Sequence, residues 1–237
     1  MPARPTEEIA AYSLFPYSST HKDDPRHLLE RMRRYVIAFK YGRGDDGTGR
    51  HFLEIVDDLA AQGWASPAFD DARVLVPIPP LEPPKARRGE PLEPCWELAQ
   101  ALARRLPGTR AVRLFERTRS VGWVEGQAPP TLADHLASLA RTRDAVPAHD
   151  EPVALITDLV TRGTEVLGCA LALRDAGYAG PLTAFVVAQA TGRYPQPLQL
   201  RSFLTSRIAG HPDQPYPSRE DLDVWFDPGA RFVSDLH

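Results

Sequence analysis

The segment VALITDLVTRGTEVLGCALALRDAG, residues 153 to 177, decides the predicted fold of this chain. Four apolar residues at 153 to 156 run into Asp158 and predict a buried strand. A short loop with two threonines, an arginine and a glycine follows at 161 to 164. The next residues, 165 to 176, predict a helix that ends at Gly177, since glycine commonly ends helices.

Strands and helices alternate on both sides of this segment. Further strands are predicted at 74 to 78, 112 to 115 and 182 to 187, and further helices at 95 to 106, at 132 to 141 and twice before residue 64. Alternation at this spacing predicts an α/β fold with a mostly parallel sheet flanked by helices. Ligands of such sheets bind at the carboxyl ends of the strands, where the loops after Ile78 and Ile156 emerge.

The chain divides into three predicted parts. Residues 1–70 are expected to form a helical segment packed on the core, 71–194 the core itself, and 195–237 an irregular, proline-rich extension. Trp225 and Phe226 stand among acids and prolines in this extension, and they are compatible with a cap, an extra strand or a partner contact.

Composition excludes several function classes. A net charge of −3 gives no electrostatic footprint for general nucleic-acid binding, and no apolar window reaches the length of a membrane span. The N-terminus lacks the apolar core of a signal peptide, and Cys95 and Cys169 are isolated, which fits a reducing compartment. The seven histidines show no paired spacing. We therefore expect a cytoplasmic protein that binds no metal through its own side chains.

The loop after Ile156 carries groups that suit a phosphorylated sugar. Backbone N–H groups at the loop and the helix start would point at a phosphate, hydroxyl groups add donors, and glycine permits close approach. An aspartate at the strand end can accept hydrogen bonds from ribose hydroxyls. The predicted site for ribose 5-phosphate comprises Thr157, Asp158, Thr161, Arg162, Gly163, Thr164 and Glu165.

The segment VALITDLVTRGTEV resembles the phosphoribosyl pyrophosphate (PRPP) signature of type I phosphoribosyltransferases, in which four apolar residues precede two acids and a threonine-rich loop. Other segments are similar to parts of the ComF-like branch, which is related to amidophosphoribosyltransferases. The similar segments are VLVPIPP, KARRG and ELAQALARRL on the pyrophosphate side, RTRSVGWVEGQAPPTLADHL as a mobile catalytic loop, and YVIAFKYGRG upstream. The resemblance covers roughly residues 30 to 190.

This resemblance implies transfer of a phosphoribosyl group from PRPP to a nitrogen nucleophile, with Mg²⁺ carried in by the pyrophosphate. Whether that nucleophile is a base, an amine or ammonia stays open, as does a homodimer. The residues that it assigns to PRPP on the pyrophosphate side are Lys85, Arg87 and Arg88. Those that it assigns to catalysis are Asp158, Arg117 and Arg119, with Gln127 in the same loop. As an alternative, the cations of both loops are ordinary solvated side chains.

Three positions depart from the signature. Thr157 replaces the first acid, Arg162 a small hydroxylated residue, and Glu165 the last threonine of the phosphate loop. The zinc-binding cysteines that precede ComF-like domains are also absent. A carboxylate in contact with a bound phosphate costs about 1 kcal/mol or more in a solvated site, which pairing with Arg162 would offset. Alternatively, Glu165 is an ordinary first-turn acid that faces solvent.

Two functions therefore stay open. The first is an active phosphoribosyltransferase of nucleotide metabolism. The second is an inactive protein of the same fold that acts as a nucleotide sensor, a partner-binding protein or an accessory protein in competence or DNA repair. Melting with and without PRPP discriminates between a protein that binds this ligand and one that does not.

Overall fold

A computed structural model describes residues 6–17, 36, 54, 66–81, 93–121, 128–190, 203–211, 213–215 and 217–225 of the 237-residue chain. Several predictions lie outside these residues, namely the pyrophosphate cations Lys85, Arg87 and Arg88, the loop residue Gln127, and most of the two N-terminal helices. Val36 and Glu54, which are described, are helical.

The described part of the chain alternates strands with helices. In chain order the elements are β1 Glu7–Tyr17, α1 Ser66–Phe69, β2 Val74–Pro77, α2 Pro94–Arg105, β3 Arg110–Ala111, β4 Phe115–Arg117, α3 Leu132–Ala137, β5 Leu139–Arg141, β6 Val153–Val160, α4 Thr164–Asp175, β7 Leu182–Ala190, β8 Phe203–Gly210 and β9 Ser218–Trp225. No helix among the described residues is long and apolar enough to cross a membrane.

Within the described residues, seven of these strands form one sheet in the order β3-β2-β6-β7-β1-β8-β9. The first five strands in this order run parallel, and β8 and β9 add an antiparallel hairpin at one edge. The predicted mostly parallel α/β sheet is confirmed. The remaining strands β4 and β5 pair with each other in a separate two-stranded ribbon.

Both faces of the sheet are covered, because side chains of β6 alternate between two apolar clusters. Val153 and Leu155 pack with α3 and α4, whereas Ala154 and Ile156 pack with α1 and α2. A strand that is buried on both faces has a continuous run of apolar residues in its sequence. The run at residues 153 to 156 therefore predicts such a strand. Each fully buried leucine or isoleucine in these clusters contributes about 1.5–3 kcal/mol to folding.

Strand β6 is internal, as predicted, but it is longer than predicted. It lies between β2 and β7, and it continues to Val160 because Thr157, Leu159 and Val160 pair with β7. Polar residues at 157 and 158 end the apolar run in the sequence, yet they remain in the strand. The loop before α4 is consequently reduced to residues 161 to 163.

Three predictions between residues 112 and 141 are wrong in detail. The single strand predicted at 112 to 115 is replaced by β3 and β4. Arg117, the first residue of the segment predicted as a mobile catalytic loop, still belongs to β4. The helix predicted at 132 to 141 ends at Ala137, since the following residues form β5 and pair with β4. In each case pairing between distant residues decides the structure.

The two ends of the chain also differ from the predictions. The stretch before residue 24, which lies in the predicted helical segment, contains β1, and β1 lies between β7 and β8 in the sheet. The described residues of the extension that was predicted to be irregular form the hairpin of β8 and β9, which is the extra-strand alternative for Trp225, whereas Phe226 lies outside the described residues. The sheet therefore takes strands from all three predicted parts. Buried Ser13 and Ser206 both donate to Gln189 Oε1, at 3.1 and 3.0 Å, and join β1 and β8 to β7.

Candidate functional site

The loop after β6 joins the carboxyl end of an internal strand to a long helix. Gly163 has a φ of 85°, in the left-handed region that favours glycine, and it is the N-cap residue of α4. Among the described residues, no side-chain hydrogen bond caps this helix. The first backbone N–H groups of a helix lack partners within the helix and lie at the positive end of its dipole. This geometry suits an anion at the start of α4.

Asp158 lies near the end of β6, half-buried beside this loop. Its Oδ1 atom accepts a hydrogen bond of 2.7 Å from the N–H of Leu159 and lies 3.4 Å from the Thr157 hydroxyl. These contacts orient the carboxylate from within its own strand. Thr157 is only 1% exposed, so its side chain offers little surface to a ligand. Asp158 is the better placed of the two to contact one.

Arg117 occupies a buried position in the ribbon strand β4, where it is 5% exposed. Its Nη1 donates to the carbonyl oxygen of His135 at 3.0 Å and to the Ser138 hydroxyl, and its Nη2 lies 3.2 Å from His135 Nδ1. Its Nε has no partner among the described residues. The structure thus places this predicted catalytic residue in a buried cluster of a strand, whereas the resemblance placed it in a mobile loop and the alternative made it a solvated cation.

Burial sets the charge states inside this cluster. It lowers the pKa of His135 to about 4, with a further lowering from the positive charge of Arg117. The imidazole is therefore neutral near pH 7, and its Nδ1 can accept a hydrogen bond from the guanidinium. Burial also lowers the pKa of Arg117, but arginine stays protonated near neutral pH because its ordinary pKa is so high. One positive charge is thus buried beside a neutral histidine.

The charge of Glu165 also acts on that arginine. Glu165 lies in the first turn of α4, half-buried, and its charge raises the pKa of Arg117. The helix also brings Cys169, one turn later, into the same surroundings, where burial raises the pKa of its thiol to about 12. Cys169 and Glu165 both raise the pKa of Arg117, but the thiol is neutral near pH 7, so the negative charge present at that pH is that of Glu165. The alternative that Glu165 simply faces solvent does not fit this placement.

The other predicted cation of the catalytic loop lies at the surface. Arg119 is exposed, and its Nη2 is 3.6 Å from Asp134 Oδ1 at the start of α3. Arg162, in the loop itself, is also exposed. Asp158 and residues 161 to 165 lie together at the end of β6, and the charge of Glu165 acts on the pKa of Arg117. The described contacts do not join Arg119 to that loop.

One residue at this site escaped the sequence analysis. Arg219 of β9 donates from Nη2 to the carbonyl oxygen of Ala190 at 2.7 Å, and from Nη1 to the carbonyl oxygens of Thr161 and, at 3.5 Å, Val160. Its partners are main-chain atoms that lie far away in the sequence. No local pattern around residue 219 predicts such contacts. They depend on the pairing of β9 with β8, which the sequence of the extension does not indicate.

Comparison with known proteins gives few matches. No family model and no curated protein matches the chain. Crystal structures of a hypoxanthine phosphoribosyltransferase from Staphylococcus aureus are similar in fold. The tetragonal form has a TM-score of 0.36 and 11% identity over 59% of this chain and 65% of that chain. The orthorhombic form has a TM-score of 0.35 and 10% identity, over 74% and 90% respectively.

The chain thus spans about 65% of the length of the first of these structures. Scores and identities of this size carry no inference about family, ligand or activity. The fold therefore rests on the sheet topology described above, and the functional conclusion rests on the residues at the carboxyl end of β6.

Proposed function

We propose that the loop after β6 binds the 5-phosphate of a phosphorylated ribose, either PRPP or a nucleotide, and that Asp158 accepts hydrogen bonds from the ribose hydroxyls. The observation that supports this most is a single juxtaposition: the left-handed Gly163 begins α4 without a side-chain cap among the described residues, directly after the strand that carries Asp158. Helix N-termini in this setting favour phosphate through N–H groups and the helix dipole.

The position of Glu165 removes one objection to this proposal. An unpartnered carboxylate at the start of the phosphate loop would repel the ligand. In this chain the charge of Glu165 acts on the buried Arg117, which partly compensates it. Arg162, in the loop itself, and Arg219, which binds the Thr161 carbonyl oxygen, add positive charge. The sum of nearby charges therefore does not oppose an anion.

Catalysis of phosphoribosyl transfer is the stronger form of the proposal, and it follows the resemblance to the ComF-like branch. The bond between C1 of the ribose and the pyrophosphate oxygen would break as a nitrogen nucleophile bonds to C1. Mg²⁺ would enter bound to the pyrophosphate, as part of the substrate, and the proposal gives it no protein ligands. The chain would contribute positioning and electrostatic stabilisation, with cations after Pro79 neutralising the leaving group.

A second candidate function is ligand binding without turnover, as in a nucleotide sensor or an accessory protein in competence or DNA repair. The placement of Arg117 favours it. This residue, assigned to catalysis by the resemblance, hydrogen-bonds His135 and Ser138 and is 5% exposed. It cannot reach a pyrophosphate group unless the cluster opens. A cytoplasmic location and a homodimer are parts of either proposal.

Thermal unfolding in the presence of phosphorylated ligands tests the shared part of both candidates. A ligand that binds only the folded chain stabilises it by about 2.7 kcal/mol at one hundred times its Kd. We expect PRPP with Mg²⁺ to raise the Tm, and ribose without phosphate to have no effect. Release of pyrophosphate on addition of amines or bases would support transfer, and intact PRPP would support binding alone. If no phosphorylated ribose raises the Tm, the proposal is wrong.

A further inference from the structure

The loop after β6 is held by a residue pair that lies outside the phosphate-loop motif. Ile208 and Arg219 are opposite each other in the hairpin of β8 and β9. Ile208 is fully buried, and a Cβ atom at Gly163 would lie 2.7 Å from its Cγ2 and 2.8 Å from its Cδ1. The hairpin therefore packs directly on the glycine of the loop.

Arg219, the other member of this pair, binds carbonyl oxygens at the ends of two parallel strands. Arg219 Nη2 donates to Ala190, the last residue of β7, and Nη1 donates to Val160, the last residue of β6, and to Thr161 in the loop. One side chain thus bridges neighbouring strand ends. A planar guanidinium does this with donors held in a fixed fork, whereas the ammonium of a lysine is a compact charge whose three donors rotate on a flexible stem.

These bonds fix the direction of loop N–H groups as well as of carbonyl groups. In a trans peptide unit the carbonyl and the N–H of the next residue point in opposite directions. By binding the carbonyl oxygens of Val160 and Thr161, Arg219 sets the directions of the N–H groups of Thr161 and Arg162. It also brings a permanent positive charge to the loop. Both effects bear on anion binding.

We propose that Arg219 is a positioning residue of the phosphate loop, which the C-terminal hairpin supplies to hold the loop in its anion-binding conformation. The inference rests on the proposed function for the identity of the ligand. The effect of Arg219 on the loop backbone does not depend on a ligand, so the inference and the proposed function can fail separately.

Hydrogen exchange of the backbone amides tests the effect on the loop without any ligand. The variants are Arg219→Ala, Arg219→Lys and the control Arg207→Ala, which removes an exposed arginine of the same hairpin that pairs with Glu8 at 2.9 Å. We expect Arg219→Ala to speed exchange at residues 160 to 166 at least tenfold relative to residues 153 to 156, and the control to leave this ratio unchanged. An unchanged ratio in Arg219→Ala overturns the inference.

Arg219→Lys keeps the charge but not the fork, so it separates charge from geometry and serves as the test if the alanine variant does not fold. We expect it to speed loop exchange at least threefold, and exchange equal to that of the wild type contradicts positioning by the fork. Calorimetric titration with PRPP and Mg²⁺ adds the functional readout. We expect Arg219→Ala to raise the Kd at least tenfold and Arg207→Ala to leave it unchanged.

The outcomes of the titration separate the two claims. If the wild type binds PRPP and Arg219→Ala binds it equally well, the inference is overturned and the proposed function stands. If the wild type does not bind PRPP, the proposed function fails. The exchange ratio then decides alone whether Arg219 positions the loop.

Discussion

The negative charge of Glu165, in the first turn of α4, raises the pKa of the buried Arg117 guanidinium of β4, as Cys169 of the same helix also does. Burial, the larger effect, lowers the same pKa. The relationship explains why an acid can stand where the resemblance calls for the last threonine of a phosphate loop. The acid compensates a charge that would otherwise be buried beside a neutral histidine.

Replacement of Glu165 should therefore affect stability and binding in opposite directions. Glu165→Thr restores the expected hydroxyl and removes a negative charge from the loop, so we expect tighter PRPP binding. The same change leaves Arg117 without its nearby acid. Because Glu165 is only half-buried, we expect a loss of about 1 kcal/mol in the free energy of unfolding, the size of one interaction between charges in a partly solvated site. Urea unfolding at pH 7 measures it.

Glu116→Gln is the matched control for this prediction, because Glu116 is the exposed neighbour of Arg117 on the same strand. We expect it to change stability by less than about 0.5 kcal/mol. Equal stabilities of the wild type and Glu165→Thr would contradict a stabilising electrostatic effect of Glu165 on Arg117. If the wild type shows no PRPP binding and Glu165→Thr gains it, the chain is a lapsed transferase.

Stability should fall in mildly acidic solution because of His135. Its pKa is about 4 in the folded chain, against an ordinary value of 6.5 that applies after unfolding. Between these values the unfolded chain binds more protons, so the free energy of unfolding decreases as the pH is lowered from 6.5 to 4. The shift corresponds to a loss of up to about 3 kcal/mol. Urea unfolding at several pH values across this window measures it.

The variant His135→Gln isolates this effect from other titrating groups. Glutamine can accept a hydrogen bond from Arg117 but carries no titratable proton. We expect its stability to vary less with pH than that of the wild type above pH 4.5. The carboxylates of Asp134 and Glu151, whose pKa values are lowered by hydrogen bonds, act at lower pH. Identical pH profiles of the two proteins between pH 4.5 and 6.5 would rule out a buried neutral histidine.

Gly163 should tolerate no side chain. Alanine there would adopt a φ of 85° and would also place its Cβ atom 2.7 Å from Ile208, so two costs add. We expect Gly163→Ala to lower the free energy of unfolding by about 2–4 kcal/mol, from left-handed strain and overpacking together. Gly177→Ala is the control, since its φ is 95° but its Cβ would meet nothing within 4 Å. Its expected loss is about 1–2 kcal/mol. Equal losses would mean that Ile208 does not press on the loop.

The sequence predicts well those elements whose burial shows in their own pattern of apolar residues. The apolar run at 153 to 156 and the helix before Gly177 are examples. Strand β1 is different, because residues 7 to 17 mix acids, alanines, a serine and a proline. Its central place is decided by pairing with Leu182–Ala190 and Phe203–Gly210, which lie more than 160 residues away. Local propensity carries no information about such partners.

The candidate site divides in the same way. Gly163 and Asp158 follow from the motif, because strand, loop and helix are contiguous there. The burial of Arg117 does not, since its partners His135 and Ser138 come from α3 and the residue after it. The role of Arg219 could not be predicted from the motif either, because Arg219 binds main-chain carbonyl groups and belongs to an extension without a recognisable pattern.

Calorimetric titration with PRPP and Mg²⁺ of the wild type and Asp158→Asn tests the central claim most directly. Asp150→Asn, which changes an exposed aspartate of a loop, serves as the control. The account predicts binding by the wild type and the control. It also predicts a Kd at least tenfold higher for Asp158→Asn, because a charge-assisted hydrogen bond to the ribose is worth roughly 1.5–3 kcal/mol. Equal affinities of all three proteins, or no binding by any of them, would contradict a ribose-phosphate site at the end of β6.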